Sequence, residues 1–236
     1  MNKLEHIFFD LDRTLWDFDR NSKSALLQLF GELNLNGFIE DFDAFHEVYR
    51  KTNAAYWENY SKGNVTKEKL RVGRFHDTLV QLGIDNLQLS TQLADGYVSV
   101  SPYQTHLFPG AKEVLQELNN QNYKLHIITN GFKEVQFIKL ENSGLRPFFL
   151  DVLCSEDVGK NKPNPEIFQA ALQRTKAKSN ASMMIGDDFE ADVLGAERCG
   201  IRGILFDPHD AYEARIEIER IKHLEELPLI LNKPTW

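Results

Sequence analysis

Asp10 and Asp12 stand two residues apart at the end of a short apolar run, in Ile7-Phe8-Phe9-Asp10-Leu11-Asp12-Arg13-Thr14-Leu15. While the chain stays extended, side chains at i and i+2 point the same way; past the strand's end the second can swing to another station around the same centre. A buried apolar strand gains nothing by ending in two negative charges unless a cation and a substrate meet them there. The spacing suits a division of labour in which Asp10 attacks a phosphorus atom and Asp12 handles the proton. Taken alone, the pair also fits a helix cap or a solvated turn. Its weight depends on residues farther along the chain.

Three further groups stand at the ends of apolar runs. Leu125-His126-Ile127-Ile128 delivers Thr129-Asn130-Gly131, a hydroxyl with backbone N–H groups at a helix start. Such a start is a ready cradle for phosphate, although the same tripeptide also reads as a generic turn and N-cap. Next comes Gly159-Lys160-Asn161-Lys162-Pro163-Asn164-Pro165, where two prolines around a helix start fix the backbone and hold a lysine near the sheet edge. Lys162, directly before proline, is preferred to Lys160 as the cation that neutralises a phosphoryl oxygen and restrains Asp10; the alternative is a solvated loop lysine. Met183-Met184-Ile185 then ends in Gly186-Asp187-Asp188, with Asp192 beyond it. Hard oxygen ligands of this kind select Mg²⁺, which takes one or two carboxylates, several waters and substrate phosphate. No Cys/His set suited to zinc accompanies them. Asp187 is expected to be a direct ligand, with Asp188 and Asp192 behind it or capping the helix N-terminus.

The elements that must position these groups fall into two patterns. From about Asn21 to Tyr97 the periodicity is helical. One stripe holds Leu26, Leu29, Phe30 and Leu33, and the next holds Phe42, Phe45, Tyr49, Tyr56 and Tyr60. Thr66 reads as the cap of a third helix carrying Leu70, Phe75, Leu79 and Leu82 and ending at Gly83; a fourth holds Leu89, Leu93 and Tyr97. The aromatic stripe, with Trp57, is expected in the bundle core, a base-stacking surface being the alternative. Beyond Ser101-Pro102 and Phe108-Pro109-Gly110, strands and helices alternate. Helices are expected over Ala111–Gln121, Lys133–Ser143, Pro165–Thr175 and Phe189–Cys199. Strands are expected over Lys124–Thr129, Leu150–Ser155, Ser182–Gly186 and Ile201–Phe206. An edge strand near Ile216 and Ile218 and a last helix over Leu224–Leu231 complete the series.

This alternation predicts an α/β fold: a Rossmann-like, doubly wound parallel sheet that includes the first strand, with a helical cap inserted after it. The expected core is 1–16 with 106–236, and the expected cap is 17–105. Ligands of open α/β sheets bind at the carboxyl ends of the strands, where every motif above lies. A helical lobe leaving the chain there would serve as a lid, with Trp16 to Arg20 and Ser101 to Leu107 as hinges.

Composition narrows the partners. With 42% hydrophobic and 26% charged residues, the chain reads as an ordinary globular protein. A net charge of −8 argues against a nucleic-acid polymer, which needs clustered Lys and Arg, but not against a small phosphorylated substrate held by a metal. Cys154 and Cys199 have no partner at metal-ligand spacing and read as buried thiols in a reducing compartment. No run approaches the roughly 18 apolar residues that span a membrane, and the N-terminus lacks a signal-peptide pattern. The expectation is a cytoplasmic protein with no membrane partner, a monomer or weak homodimer. None of the seven histidines stands at a motif position; His46, His76 and His106 are the ones that could line a cap cleft.

The four groups, Asp10-Leu-Asp12-Arg-Thr14, Thr129-Asn130-Gly131, Lys162-Pro163 and Gly186-Asp187-Asp188 with Asp192, resemble the four motifs of the haloacid dehalogenase (HAD) superfamily, and the likeness covers nearly the whole chain. The insertion point resembles the subgroup with a helical cap between the first two motifs. Leu15-Trp16-Asp17-Phe18, Ser143-Gly144-Leu145-Arg146-Pro147-Phe148-Phe149, Ser155-Glu156-Asp157-Val158-Gly159 and Arg74-Phe75 are similar to the bacterial noncanonical nucleotidase branch. Arg13 departs from the acidic residue common in that branch, at a tolerant position away from the proposed chemistry.

The resemblance implies a two-step, Mg²⁺-dependent phosphomonoester hydrolysis. Asp10 would form an aspartyl-phosphate; Mg²⁺ would be held by Asp10, the Asp12 carbonyl and Asp187. Asp12 would act as acid and then base, and Thr129, Asn130, Gly131 and Lys162 would bind the phosphoryl oxygens. The implied substrate is a nucleoside 5'-monophosphate, in a house-cleaning role; phosphoglycolate or a sugar phosphate is the alternative. A β-phosphoglucomutase-like phosphomutase, a 2-haloacid dehalogenase and a non-catalytic binding module rank behind. The dehalogenase needs neither the acid Asp12 nor a metal, and no cap motif for a mutase is identifiable.

Overall fold

The computed structural model describes residues 3–212 and 218–231. Strand β1 (His6–Phe9) is followed by four helices, α1 (Phe18–Glu32), α2 (Phe42–Ser61), α3 (Lys67–Gln81) and α4 (Leu87–Val100). Then come α5 (Ala111–Asn120), β2 (Lys124–Thr129), α6 (Lys133–Asn142), β3 (Asp151–Cys154), α7 (Pro165–Thr175) and β4 (Ser182–Gly186). The chain ends with a short helical turn α8 (Gly195–Glu197), β5 (Arg202–Phe206), β6 (Arg220–Ile221) and α9 (Leu227–Leu231). Two compact units result: Met1–Phe18 with Thr105–Trp236, and Asp19–Gln104.

In the first unit all six strands are parallel, in the order β3-β2-β1-β4-β5-β6. Both faces are covered, as a parallel sheet requires. Along β1 the alternation is strict. Ile7 and Phe9 join the cluster that holds Val114, Leu115 and Leu118 of α5. Phe8 joins the opposite one, with Ile167, Phe168 and Ala171 of α7. The fold is the doubly wound sheet expected from the β-α alternation.

Three elements depart from expectation. The run Phe189–Cys199 is not one regular helix but a π-type turn, Phe189–Leu194, leading into α8. The Asp188 carboxylate caps it through the N–H groups of Glu190 and Ala191. Asp192 turns back instead, accepting the Asp188 N–H at 3.1 Å and facing Lys162, and this draws the first turn wide. Only Leu227–Leu231 of the last expected helix is α-helical, after a 3₁₀ turn at Leu224–Glu226. The edge strand is Arg220–Ile221; Ile216 lies outside the described residues, and Ile218 falls in a bend before the strand.

The second unit is the helical insert. Asp41, Thr66 and Asn86 cap α2, α3 and α4, each accepting backbone N–H groups of the first turn. Phe45 and Tyr49 are buried with Phe75 and Tyr97, as the stripe predicts. Its second half is not core: Tyr56, Trp57 and Tyr60 are half-buried. Gly73 leaves room on α3 for the Tyr56 ring, whose hydroxyl donates to Asp77 at 2.8 Å, so the ring stays at the α2–α3 seam. Buried Arg74 donates to Asn53 at 2.8 Å and lies over the Phe75 and Tyr97 rings.

Candidate active site

The strand order fixes where chemistry can occur. The chain steps outward from β1 through β2 to β3, then returns to the other side of β1 and steps out through β4, β5 and β6. Connections therefore leave β1 and β4 in opposite directions, and the crevice between their carboxyl ends is where such folds bind ligands. Asp10 follows β1 and Asp187 follows β4 on the two sides of that crevice, and Thr129 closes β2. The main-chain N–H of Asp10 donates to Ile185 O at 2.9 Å, pinning the two strand ends together.

Oxygens of Asp10, Asp187 and Asp192 all lie within 4.8 Å of one another. Lys162 supplies the ammonium among them. Its Nζ donates to Asp10 Oδ1 at 2.6 Å, to Asp192 Oδ1 at 2.6 Å and to Ile128 O at 2.8 Å. An ammonium has three protons, and here all three are committed to protein acceptors. The lysine is only 3% exposed, so it is no solvated loop residue. Both ends of the Asn130 amide hold it there: Lys162 N–H donates to Oδ1 at 2.8 Å, and Nδ2 donates to Lys162 O at 3.1 Å.

Buried Asp10 and Asp192 share one ammonium, and half-buried Asp187 stands beside them, which leaves an excess of negative charge. Burial raises Asp10 to about 7, Asp192 adding to the rise and Lys162 opposing it. Burial also raises Asp187 and Asp192; Asp187 is raised further by Asp10 and Asp192. Burial alone would lower the Lys162 ammonium, but the two carboxylates outweigh it and raise it. Asp192 spends one oxygen on Lys162 and the other on the Asp188 N–H. Among the described residues, none donates a hydrogen bond to the Asp187 carboxylate or to Asp10 Oδ2. Those are the oxygens left for something outside the protein.

Asp12 and Thr129 form the second part of the site. The turn that carries Asp12 is closed by Leu15 N–H and Trp16 N–H donating to Leu11 O, and by Arg13 N–H donating to Trp16 O. The Thr129 hydroxyl oxygen accepts the Gly131 N–H at 3.0 Å and Gln136 Nε2 at 2.6 Å. With two N–H groups donating to that oxygen, the hydroxyl's own proton is left to donate elsewhere. Two glycines exist for close approach: a Cβ on Gly131 would collide with the Gln136 amide, and one on Gly186 with the Asp192 carboxylate.

Asp10, Asp187 and Asp192 cluster with Lys162 bonded to the first and last, while Gln136 bridges Asp12 and Thr129, and Gly131 donates to Thr129. Asp188 is exposed and caps the helix start instead. Sequence reasoning missed Gln136 and Lys139 on α6, which donate to Asp12 at 2.8 and 2.5 Å. The sequence offers only that they are two long polar side chains three residues apart on one helical face, directly after Thr129-Asn130-Gly131, with nothing to name Asp12 as their partner. The position of Asp192, four residues after the capping Asp188, likewise read only as a group behind Asp187.

The chain is similar to known proteins. Residues 4–200 match the haloacid dehalogenase-like hydrolase family. The pyrimidine 5'-nucleotidase YjjG of Escherichia coli (strain K12) is 32% identical, over 98% of this chain and 99% of its own length. A ribulose-1,5-bisphosphate 5-phosphatase of Halopiger xanaduensis is also 32% identical, over 91% of this chain and 89% of its own. The crystal structure of the HAD-hydrolase YfnB from Bacillus subtilis bound to magnesium superposes with a TM-score of 0.87, covering 98% of this chain and 100% of that one at 29% identity. With a family match across most of its length and relatives of this similarity, the chain is an enzyme and belongs to the haloacid dehalogenase-like hydrolase family.

Proposed function

We propose that this hydrolase is a Mg²⁺-dependent phosphomonoesterase that works through an aspartyl-phosphate on Asp10, with nucleoside 5'-monophosphates as substrates. The observation that carries the reading is the convergence of Asp10 and Asp187, with oxygens within 4.8 Å and raised carboxyls, Asp10 being held by the Lys162 ammonium. An all-oxygen donor set whose crowded carboxyls are raised by burial and by one another fits a hard divalent cation, which would relieve that crowding. Asp10, Asp187 and the Asp12 main-chain carbonyl would hold it. When bound, Mg²⁺ supplies positive charge that orients and neutralises a phosphoryl group.

The chain's own residues then divide the work. Asp10, through the oxygen that Lys162 does not occupy, attacks phosphorus as the bond to the leaving oxygen breaks. Asp12 gives its proton to that departing oxygen, then takes a proton from the water that attacks the aspartyl-phosphate and frees inorganic phosphate. Lys162 holds the nucleophile in place and offsets its charge. The Thr129 hydroxyl, both its lone pairs engaged, donates to a phosphoryl oxygen. Asn130 keeps Lys162 in register. The free thiols Cys154 and Cys199 support the cytoplasm as its compartment.

The nucleotide reading is supported by the pyrimidine 5'-nucleotidase, which matches over nearly all of both chains. A sugar phosphate is the second reading, supported by the ribulose-1,5-bisphosphate 5-phosphatase at equal identity. Incubation of the purified protein with Mg²⁺ and a panel of nucleoside monophosphates and sugar phosphates tests both. Phosphate release fastest from the nucleotides is expected. Faster release from sugar phosphates would favour the second reading. Chloride release from 2-chloropropionate, with no phosphate from any ester, would overturn both in favour of a dehalogenase.

A further inference from the structure

Asp12 is gripped from α6 on both of its oxygens. Lys139 Nζ donates to Oδ1 at 2.5 Å and Gln136 Nε2 to Oδ2 at 2.8 Å. Neither donor is a surface group: Gln136 is 0% and Lys139 4% exposed. A lysine ordinarily keeps its ammonium in water. Here the ammonium lies 4.2 Å from the Trp16 ring centroid and 5.8 Å from that of Phe18, with Asp12 as its counter-ion. Gln136 Nε2 also donates to Thr129 Oγ1 at 2.6 Å, so one side chain touches both the carboxylate and the hydroxyl. Asp12 would otherwise be free to turn toward Lys162 or a bound cation.

We infer that Lys139, assisted by Gln136, is a positioning residue that fixes the Asp12 carboxylate plane for proton transfer. The inference rests on the reading of Asp12 as the acid that protonates the departing alcohol. Each Asp12 oxygen has two lone pairs and spends one on α6. The other pair on either oxygen can carry the proton that moves to the leaving oxygen as its bond to phosphorus breaks. The same position receives a proton from water in the second step, while Lys139 and Gln136 keep theirs throughout.

Leaving-group dependence tests it. A nucleoside leaves as an alkoxide and needs the proton; 4-nitrophenol leaves as a stable phenolate and does not. The ratio kcat/KM reports the steps up to transfer of the phosphoryl group to Asp10, which isolates the first proton transfer. For Lys139→Met, kcat/KM with a nucleoside monophosphate is expected to fall about 100-fold, and with 4-nitrophenyl phosphate less than about three-fold. Lys139→Arg should restore much of the loss. Gln136→Met should show the same leaving-group pattern more weakly, and it stands in should Lys139→Met fail to fold. Equal falls with both esters overturn the inference while leaving the phosphatase reading intact. A wild-type protein inert toward both esters would overturn that reading itself.

Discussion

β1 carries a buried titratable residue at each end, and the two ends handle burial in opposite ways. At the carboxyl end Asp10 sits among two further carboxylates with Lys162 as their ammonium. At the amino end His6 meets His126 of β2: the rings are nearly parallel, 5.2 Å apart, with His6 Nδ1 and His126 Nε2 at 3.0 Å. One ring must donate and the other accept, so the pair holds together only while at least one ring is neutral. Burial pushes His126 down to about 4, with His6 and Lys124 adding to it and Asp151 opposing. Burial lowers His6 too, Lys124 adding and Glu5 opposing. At one end burial raises the carboxyls but leaves a charged ammonium beside them; at the other it leaves two imidazoles pushed toward the neutral form. Only the first offers carboxylate oxygens of the kind that the proposed cation and nucleophile require.

The sharpest way to break this comparison is to remove the proposed nucleophile. Asp10→Asn should lower turnover by at least about a thousand-fold. It should also raise the thermal midpoint of the metal-free protein at pH 8, because a buried negative charge is gone. Loss of activity with loss of stability would mean that Asp10 supports the fold rather than straining it. Lys162→Met acts the other way, leaving the carboxylates without their ammonium. It should destabilise the protein by about 3–5 kcal/mol near neutral pH, read by urea unfolding. The loss should shrink at pH 5, where the acids can be neutral. An equal loss at both pH values would remove Lys162 from the charge balance.

Metal binding gives a smaller and signed effect. Asp10, Asp187 and Asp192 are all raised in the fold, so between the ordinary carboxylate range and their raised values the folded chain holds more protons than the unfolded one. Stability of the metal-free protein therefore falls as pH rises through that window. Mg²⁺ competes with those protons, so the thermal shift it produces should be larger at pH 8 than at pH 5.5. A shift independent of pH would place the ion away from these carboxylates.

Much of this was legible in the chain because it is local. Asn164 and Pro165 cap and start α7, and Thr66 caps α3, through contacts within three residues. The strand-end acids could be placed at one edge once the β-α alternation was read, since parallel strands put all their carboxyl ends together. What was not legible depends on contacts far apart in sequence. Gln136 and Lys139 reach Asp12 across 124 and 127 residues, and the pattern of α6 alone assigns them to no partner. The wide turn after β4 follows from Asp192 bending back to Lys162, a contact across 30 residues. Periodicity placed Tyr56 in the bundle core; the gap that Gly73 opens on the facing helix holds it at the seam instead. His6 and His126 carried no signal, because a histidine in an apolar strand says nothing about its neighbour in the next strand.

That pair supplies the mildest test, at the other end of the sheet. A histidine lowered by folding is neutral in the native state where the unfolded chain already takes up a proton. Its contribution to stability is complete above about pH 6.5 and is lost as pH falls toward about 4, by at most about 1.4 kcal/mol per pH unit for each group. His126→Phe keeps an aromatic ring beside Phe8, 5.0 Å from the original ring centre, and cannot titrate. Urea unfolding at pH 7, 6 and 5 should show the variant gaining on the wild type as pH falls, by about 1 kcal/mol at pH 5. Phosphate release at pH 7 should be unchanged, since His126 packs on His6 and Phe8 and bonds to none of the groups around Asp10. The acid edge pulls in the opposite sense, losing stability as pH rises. Metal-free wild type should then be most stable at mildly acidic pH, and His126→Phe should move that maximum downward. Parallel curves for the two proteins would mean that the imidazole pair tolerates charge, and that burial alone does not set the two ends apart.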